Sequence, residues 1–227
     1  MMTNLFSTFD PSTSIYFSMN WMSIMIILLM MPFMFWIIPS RYMILLYNTY
    51  NKLYQEFNML LPKKSWGFPL IFISIFTFIL FNNLMGLLPY IFTSSSHLMF
   101  TLTLSLPLWL TLMFFGWINQ TQHMLAHLIP EGSPNLLTPF MACIETISNM
   151  IRPGSLAVRL AANMIAGHLL MCLLGNNMLT ISNIMIPLIM MIQMSLMMFE
   201  MAVAIIQAYV FSVLSTLYTS EVAYEKT

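Results

Sequence analysis

The chain has 227 residues, of which 59% are hydrophobic and only 6% are charged, and its seven basic and seven acidic residues give a net charge of zero. Soluble domains carry about 25% charged residues, so this composition excludes a water-soluble fold. With so few basic residues there is no stripe that could neutralise phosphates, which excludes nucleic-acid binding. The composition predicts an all-α polytopic membrane protein.

The first part of the chain predicts an outer segment, one membrane span and one surface helix. Residues 1–14 form the outer N-terminal segment, and the charge-free apolar run that follows predicts the first span at 15–38. Residues 42–61 carry apolar side chains at helical spacing with Lys52 and Glu56 among them, which predicts an amphipathic helix on the membrane surface. Four of the seven basic residues lie between the first and the second span, so the positive-inside rule places this connection on the matrix or cytoplasmic side of the membrane.

The remainder predicts two helical hairpins. Pro89 divides residues 68–118 into two spans, and residues 135–217 form a hairpin of two long helices. Forty residues in one helix would measure about 60 Å, twice the thickness of the hydrocarbon core. Either Pro153 separates two upright spans, or one bent helix runs steeply tilted. We predict the tilted helix, because a turn at Pro153 would leave backbone groups unpaired in lipid. With a C-terminal tail at 218–227 in water, this gives about five membrane helices and one surface helix.

Arg159 is the residue of this sequence that most needs an explanation. No Asp, Glu, Lys or Arg follows it until Glu200. A guanidinium costs about 2.5–3.5 kcal/mol at the centre of a membrane helix, and arginine keeps its proton at physiological pH. Either the cation forms a salt bridge that joins helices, or it marks an ion pathway.

Further polar residues lie on one stripe of the same helix. Glu145, Arg152 and Arg159 are spaced seven residues apart, so they drift only about 20° per step, and Asn163 extends the stripe by one turn. Amides such as Asn163 can equally serve only to join helices.

A second set of polar residues avoids that stripe. His168 points to roughly the opposite side of its helix from Arg159, and Glu200 and Gln207 are seven residues apart on the last helix. Histidine, and glutamate once desolvated, titrate within reach of physiological pH, so His168 and Glu200 suit a proton relay.

The histidines of the central loop form a weaker motif. His123 and His127 have the spacing of a zinc pair, but Gln122 and Met124 stand where the zinc motif needs other residues. An intramembrane metalloenzyme built on this pair is therefore an alternative that we do not favour. We expect no metal and no cofactor, and the sequence assigns no role to this pair or to Glu131.

One run of residues closely resembles a known family. The sequence Arg159-Leu160-Ala161-Ala162-Asn163-Met164-Ile165-Ala166-Gly167-His168 resembles the signature of the a subunits of F-type ATP synthases, and Asn82-Asn83-Leu84-Met85-Gly86-Leu87-Leu88-Pro89 is similar to another run of that family. The likeness covers nearly the whole chain. It implies a non-catalytic, proton-translocating stator of the F0 sector, with no nucleotide site of its own. Expected partners are a ring of c subunits, the peripheral stalk, other F0 subunits, protons and membrane lipids.

The resemblance also implies a role for individual residues. Two offset half-channels would carry protons to and from the carboxylates of the ring. Arg152 would support structure near the matrix surface. The residues implied in translocation are the essential cation Arg159, its polar neighbours Asn163 and Gln207, the intermembrane-space half-channel residues His168 and Glu200, and the matrix exit residue Glu145.

Location and helix register complete the expectations. The 26 methionines suggest a mitochondrial genetic code, so we expect the mitochondrial inner membrane, with the N-terminus in the intermembrane space and the C-terminus in the matrix. The apparent turn at 175–183 would place Glu200 level with Arg159, whereas the resemblance pairs Glu200 with His168. We follow the resemblance. A purely structural membrane subunit is the alternative class of function.

Overall fold

The computed structural model describes residues 5–14, 16–25, 37–62, 67–129, 134, 137–178 and 184–222. This part of the chain is helical and contains no strand. Its α-helices are α1 Arg41–Leu60, α2 Phe68–Gly86, α3 Leu98–Asn119, α4 Thr121–His127, α5 Thr138–Asn177 and α6 Ile186–Val222, and its 3-10 helices are Leu5–Phe9, Met19–Met25 and Ser94–Ser96. The all-α membrane class predicted from composition is confirmed.

Four of the described helices, α2, α3, α5 and α6, are long and apolar enough to cross a membrane. The helix α5 runs through 40 residues with Pro153 in its interior, and α6 runs through 37. The prediction of one continuous helix across Pro153 is therefore confirmed, and two upright spans are excluded. Each of these two helices is longer than the roughly 20 residues that an upright span needs, which requires a steep tilt.

The helix ends follow ordinary capping chemistry. The Ser40 hydroxyl accepts a hydrogen bond from the Met43 amide at 3.4 Å and caps α1. Pro69 and Pro139 lie in the first turns of α2 and α5, where a missing amide hydrogen costs nothing. These residues determine where α1, α2 and α5 begin.

The core lies where the long helices meet. α2 packs against α6, α3 against α5, and α5 against α6. Their shared cluster of buried side chains is Ile79, Leu156, Leu160, Ala208 and Phe211. The helix α1 joins this bundle separately, through Phe57 against Phe72, and the Tyr209 hydroxyl of α6 donates to the Glu56 carboxylate at 3.1 Å. The predicted surface helix is thus anchored to two membrane helices.

Several boundaries differ from those expected. α6 continues to Val222, so residues 218–222 of the predicted tail are helical, because Thr219 and Val222 are buried against the bundle. α5 ends at Asn177, within the predicted turn at 175–183, although Gly175 itself is still helical. In the predicted first span, 15–38, Met19–Met25 forms a 3-10 helix, and residues 26–36 lie outside the described part. Glu131 also lies outside it.

Candidate functional site

Arg159 lies on an uncovered face of α5. The side of this helix that faces the bundle carries Leu156, Ala157, Leu160 and Ala161, all of them buried. The opposite stripe is exposed, and its members are Ser155, Val158, Arg159, Ala162, Asn163 and Ala166. Within the part of the chain that the structure describes, Arg159 has no hydrogen bond and no ion pair. Its charge is therefore directed away from its own polypeptide, on a surface of mostly small side chains.

Asn163 and Gln207 join the two long helices directly beside this face. The Asn163 side-chain amide donates to the Gln207 carbonyl oxygen at 2.9 Å. Gln207 is buried, and Asn163 is partly covered by the contact although it belongs to the exposed stripe. The bond sets the register of α5 against α6 one turn from Arg159.

Glu200 is the buried acid of the site. Its carboxyl group packs on the backbone of Gly167, so closely that a Cβ added there would be 2.8 Å from its Cδ and 2.9 Å from its Oε1. Only a glycine leaves this space. Glu200 therefore lies beside the residue that precedes His168, as expected from the resemblance. It does not lie level with Arg159, where the turn at 175–183 alone would have placed it, because α5 runs to Asn177 and α6 begins only at Ile186.

His168 and Glu200 both line a cavity of about 700 Å³ at one end of the bundle. The walls come from α5 and α6, from residues 87–93 after α2, and from the N-terminal segment. Gln193 adds an amide to the wall, and the backbone of Gly86 interacts with the imidazole of His168. His168 Nε2 and Glu200 Oε1 are buried and have no hydrogen-bond partner among the described residues. A buried polar atom normally has a hydrogen-bond partner, and water in the cavity can supply one to each of these atoms.

A cluster of charges lies at the opposite end of α5. Arg152 contacts Glu221 of α6 at 2.6 Å and Glu145 one helical repeat earlier at 3.5 Å, and its guanidinium lies 5.1 Å from the centre of the Tyr218 ring. Arg152 therefore holds the beginning of α5 to the end of α6. The sequence identified the stripe of Arg152 but not Glu221, which it placed in the tail.

The structure brings some of the predicted residues together and separates others. Asn163 meets Gln207, and Glu200 lies beside the His168 turn, whereas Glu145 is far along α5 and pairs with Arg152 instead. His123 and His127 have ring centres 6.3 Å apart, and no group of three or more possible metal ligands occurs among the described residues.

One wall of the cavity was not foreseen from the sequence. Residues 7–10 and Ser12 were expected only as part of an outer segment, yet they line the same space as Glu200. The signal in the sequence is Asp10, the only aspartate of the chain, next to a proline and two hydroxyl residues.

Comparison with known proteins gives a consistent result. The family model of the ATP synthase A chain matches residues 16–220. The ATP synthase subunit a of Drosophila melanogaster is 60% identical over 223 residues, which are 98% of this chain and 100% of that protein. The subunits a of Anopheles quadrimaculatus and Aedes aegypti are each 59% identical over 225 residues, again 98% of this chain and the whole of each relative.

Proposed function

This chain belongs to the ATP synthase A chain family, and from that membership we propose that it is the proton-translocating stator subunit of the F0 sector in the mitochondrial inner membrane. It acts beside a ring of c subunits, to which two offset half-channels connect the two sides of the membrane. It has no nucleotide site of its own. The N-terminus faces the intermembrane space and the C-terminus faces the matrix.

The observation that carries this proposal is the unpaired Arg159 on an exposed face. A lone guanidinium in lipid costs several kcal/mol, and the described part of the chain supplies no counter-charge. A carboxylate of another chain beside Arg159 would remove that cost, since two opposite charges about 4 Å apart attract by about 4 kcal/mol at an effective dielectric constant near 20. The small side chains around Arg159 let a partner helix approach closely.

The chemistry at Arg159 then follows from charge alone. A ring carboxyl group is neutral while it faces lipid, because an anion there is too costly. Beside Arg159 the carboxylate form is favoured, so the O–H bond breaks and the proton leaves toward the matrix. The fixed cation also repels a proton that would cross directly from one half-channel to the other.

The cavity with His168 and Glu200 supports the half-channel on the intermembrane-space side. Glu200 lies about two turns along α6 from Gln207. It is buried in the seam, the contact surface between α5 and α6, whereas Arg159 lies on the exposed outer side of that surface. A proton taken up through the cavity reaches Glu200 and passes to the ring carboxylate, which becomes neutral and re-enters lipid. A membrane potential contributes about 2.3 kcal/mol per charge per 100 mV and gives the cycle its direction.

The matrix exit lies toward the other end of α5. Glu145 is held there by Arg152, with its side chain 30% exposed. It offers an acceptor for protons released beside Arg159, two helical repeats away on the same stripe.

The test is substitution of Arg159 in the assembled complex, with Arg152 as the matched control. We expect Arg159→Lys to lose at least about tenfold of proton-driven ATP synthesis, because an ammonium is a strongly hydrated point charge that deprotonates more readily on burial. We expect Arg159→Ala to let protons leak through the membrane. Arg152→Lys keeps most of the activity. Full ATP synthesis by Arg159→Lys would favour the purely structural alternative.

Cross-linking tests which face meets the ring. In a background with Cys143 and Cys172 replaced by serine, cysteine is introduced at Ala162, which is exposed, or at Ala161, which is buried. We expect oxidation to link Ala162→Cys, but not Ala161→Cys, to a cysteine beside the carboxylate of a c subunit. Equal yields at the two positions would contradict the proposed contact.

A further inference from the structure

The N-terminal segment folds back over the cavity that contains His168. The 3-10 helix Leu5–Phe9 packs against α5, and the Phe9 ring meets the His168 imidazole edge-on, with ring centres 6.2 Å apart. Residues 7–10 and Ser12 line the cavity together with Glu200. Residues 7–10 and Ser12 therefore form a wall of this cavity, and Phe9 in that wall contacts the ring of His168.

Asp10 is fixed within this wall. Its carboxylate accepts hydrogen bonds from the Ser12 amide at 3.1 Å and from the Ser12 hydroxyl at 2.8 Å. Its backbone carbonyl accepts a third from the Asn20 side chain at 3.1 Å. Asp10 lines the cavity and is also exposed to solvent. This is the position of an entrance, in contact with both water and the interior.

With His168 in its neutral form, the charged side chains among the described residues that line the cavity are the carboxylates of Asp10 and Glu200. Its titratable groups are Asp10 on the N-terminal segment, Tyr90 on the loop, His168 and Cys172 on α5 and Glu200 on α6, and no lysine or arginine is among the described residues that line it. Hydrogen bonds from the amide and then the hydroxyl of Ser12 hold the pKa of the Asp10 carboxyl below its ordinary value. The entrance is therefore anionic at neutral pH. A cleft lined by one sign of charge raises the local concentration of the opposite ion.

We propose that Asp10 collects protons at the entrance of this cavity and passes them toward His168 and Glu200. This inference rests on the proposed function and adds an entry residue to it. A proton from bulk water binds the Asp10 carboxylate and forms a carboxyl group. The new O–H bond then breaks, the proton crosses the cavity through hydrogen-bonded water to the Glu200 carboxylate, and the Asp10 anion is restored. No oxidation or reduction takes place.

The experiment uses the purified complex in liposomes, driven by a potassium diffusion potential. The pH on the side of the N-terminus is varied, and the rate of ATP synthesis is measured for Asp10→Asn. Asparagine keeps an acceptor oxygen for the Ser12 bonds but removes the charge. We expect an unchanged rate at acidic pH on that side, where protons are abundant, and a loss of about threefold to tenfold at alkaline pH. Asp10→Glu restores the alkaline rate.

A second variant separates charge from folding. Asp10→Asn combined with Ser12→Asp moves the carboxylate two residues along the same wall, and we expect it to recover the alkaline rate. If Asp10→Asn lowers the amount of assembled complex, this double variant and Asp10→Glu are compared with the wild type. Recovery in both supports the proposal, and loss in both at every pH overturns it in favour of a structural role.

Glu200→Gln distinguishes this inference from the proposed function. If Asp10→Asn equals the wild type at every pH while Glu200→Gln blocks ATP synthesis, only the role of Asp10 is overturned. If Glu200→Gln also equals the wild type, the half-channel through the cavity is overturned with it.

Discussion

Replacing Gly167 by alanine tests how α5 positions Glu200. The added Cβ would lie 2.8 Å from Glu200 Cδ and 2.9 Å from Oε1, whereas ordinary contacts between carbon atoms are about 3.5–4.0 Å. The carboxyl group must therefore move by about 1 Å or change its rotamer, at a cost of about 0.5–1.5 kcal/mol. Alanine gains about 0.5–1 kcal/mol over glycine within a helix, so the two effects nearly cancel in stability.

The displacement of the Glu200 carboxyl group also affects the rate of proton transfer, and the gain in helix stability does not offset that effect. A shift of about 1 Å in a reacting group costs up to about 100-fold in rate, so we expect Gly167→Ala to assemble normally and to lose at least about tenfold of its ATP-driven proton pumping. Gly175→Ala on the same helix is the control, because a Cβ there meets nothing within 4 Å. Pumping is followed with a pH-sensitive dye in inner-membrane vesicles. Wild-type pumping by Gly167→Ala would refute the argument that Glu200 must occupy this space.

Two further predictions concern contacts between α5 and α6. Arg152→Ala leaves Glu221 and Glu145 without their cation, and we expect the stability of the folded subunit to fall by about 1 kcal/mol. The value is moderate because these side chains are 24–42% exposed. Thermal inactivation of the detergent-solubilised complex measures this loss of stability. An unchanged midpoint temperature would contradict the stabilising role of these ion pairs. For Asn163→Ala, Gln207→Ala and the double variant, a double-mutant cycle in the same assay should give a coupling of about 0.6 kcal/mol, typical of a hydrogen bond within a membrane. Additive effects would show that the 2.9 Å bond contributes nothing.

The sequence was sufficient for those features that depend on helix length and periodicity. The continuity of α5 across Pro153 followed from the cost of unpaired backbone in lipid. The opposite directions of Arg159 and His168 followed from their spacing of nine residues, which at 3.6 residues per turn is two and a half turns. Both are properties of one segment, so neither needs knowledge of a neighbour.

Features that depend on two segments were harder to predict. The turn at 175–183 alone favoured a wrong register of α5 against α6, and only the resemblance favoured the pairing of Glu200 with the region of His168. The turn misleads because its two sides are unequal: α5 runs to Asn177, whereas α6 begins only at Ile186. The bond between Arg152 and Glu221 was missed for a similar reason, since Glu221 was assigned to a solvated tail. The N-terminal wall of the cavity was missed because a short polar segment has no periodicity from which a fold can be inferred.

The seam between α5 and α6 explains why one helix pair can serve both halves of the proposed path. Arg159 is directed outward from the seam, Glu200 is buried within it, and the bond from Asn163 to Gln207 lies between them. On the path that we propose, a proton on Glu200 could not continue along the seam without passing Arg159, a permanent cation that raises the energy of any positive charge nearby. It can move only to an acceptor that then leaves. A carboxylate carried on another chain meets that requirement, and a fixed residue of this chain would not, since it would stay beside Arg159 and release the proton again.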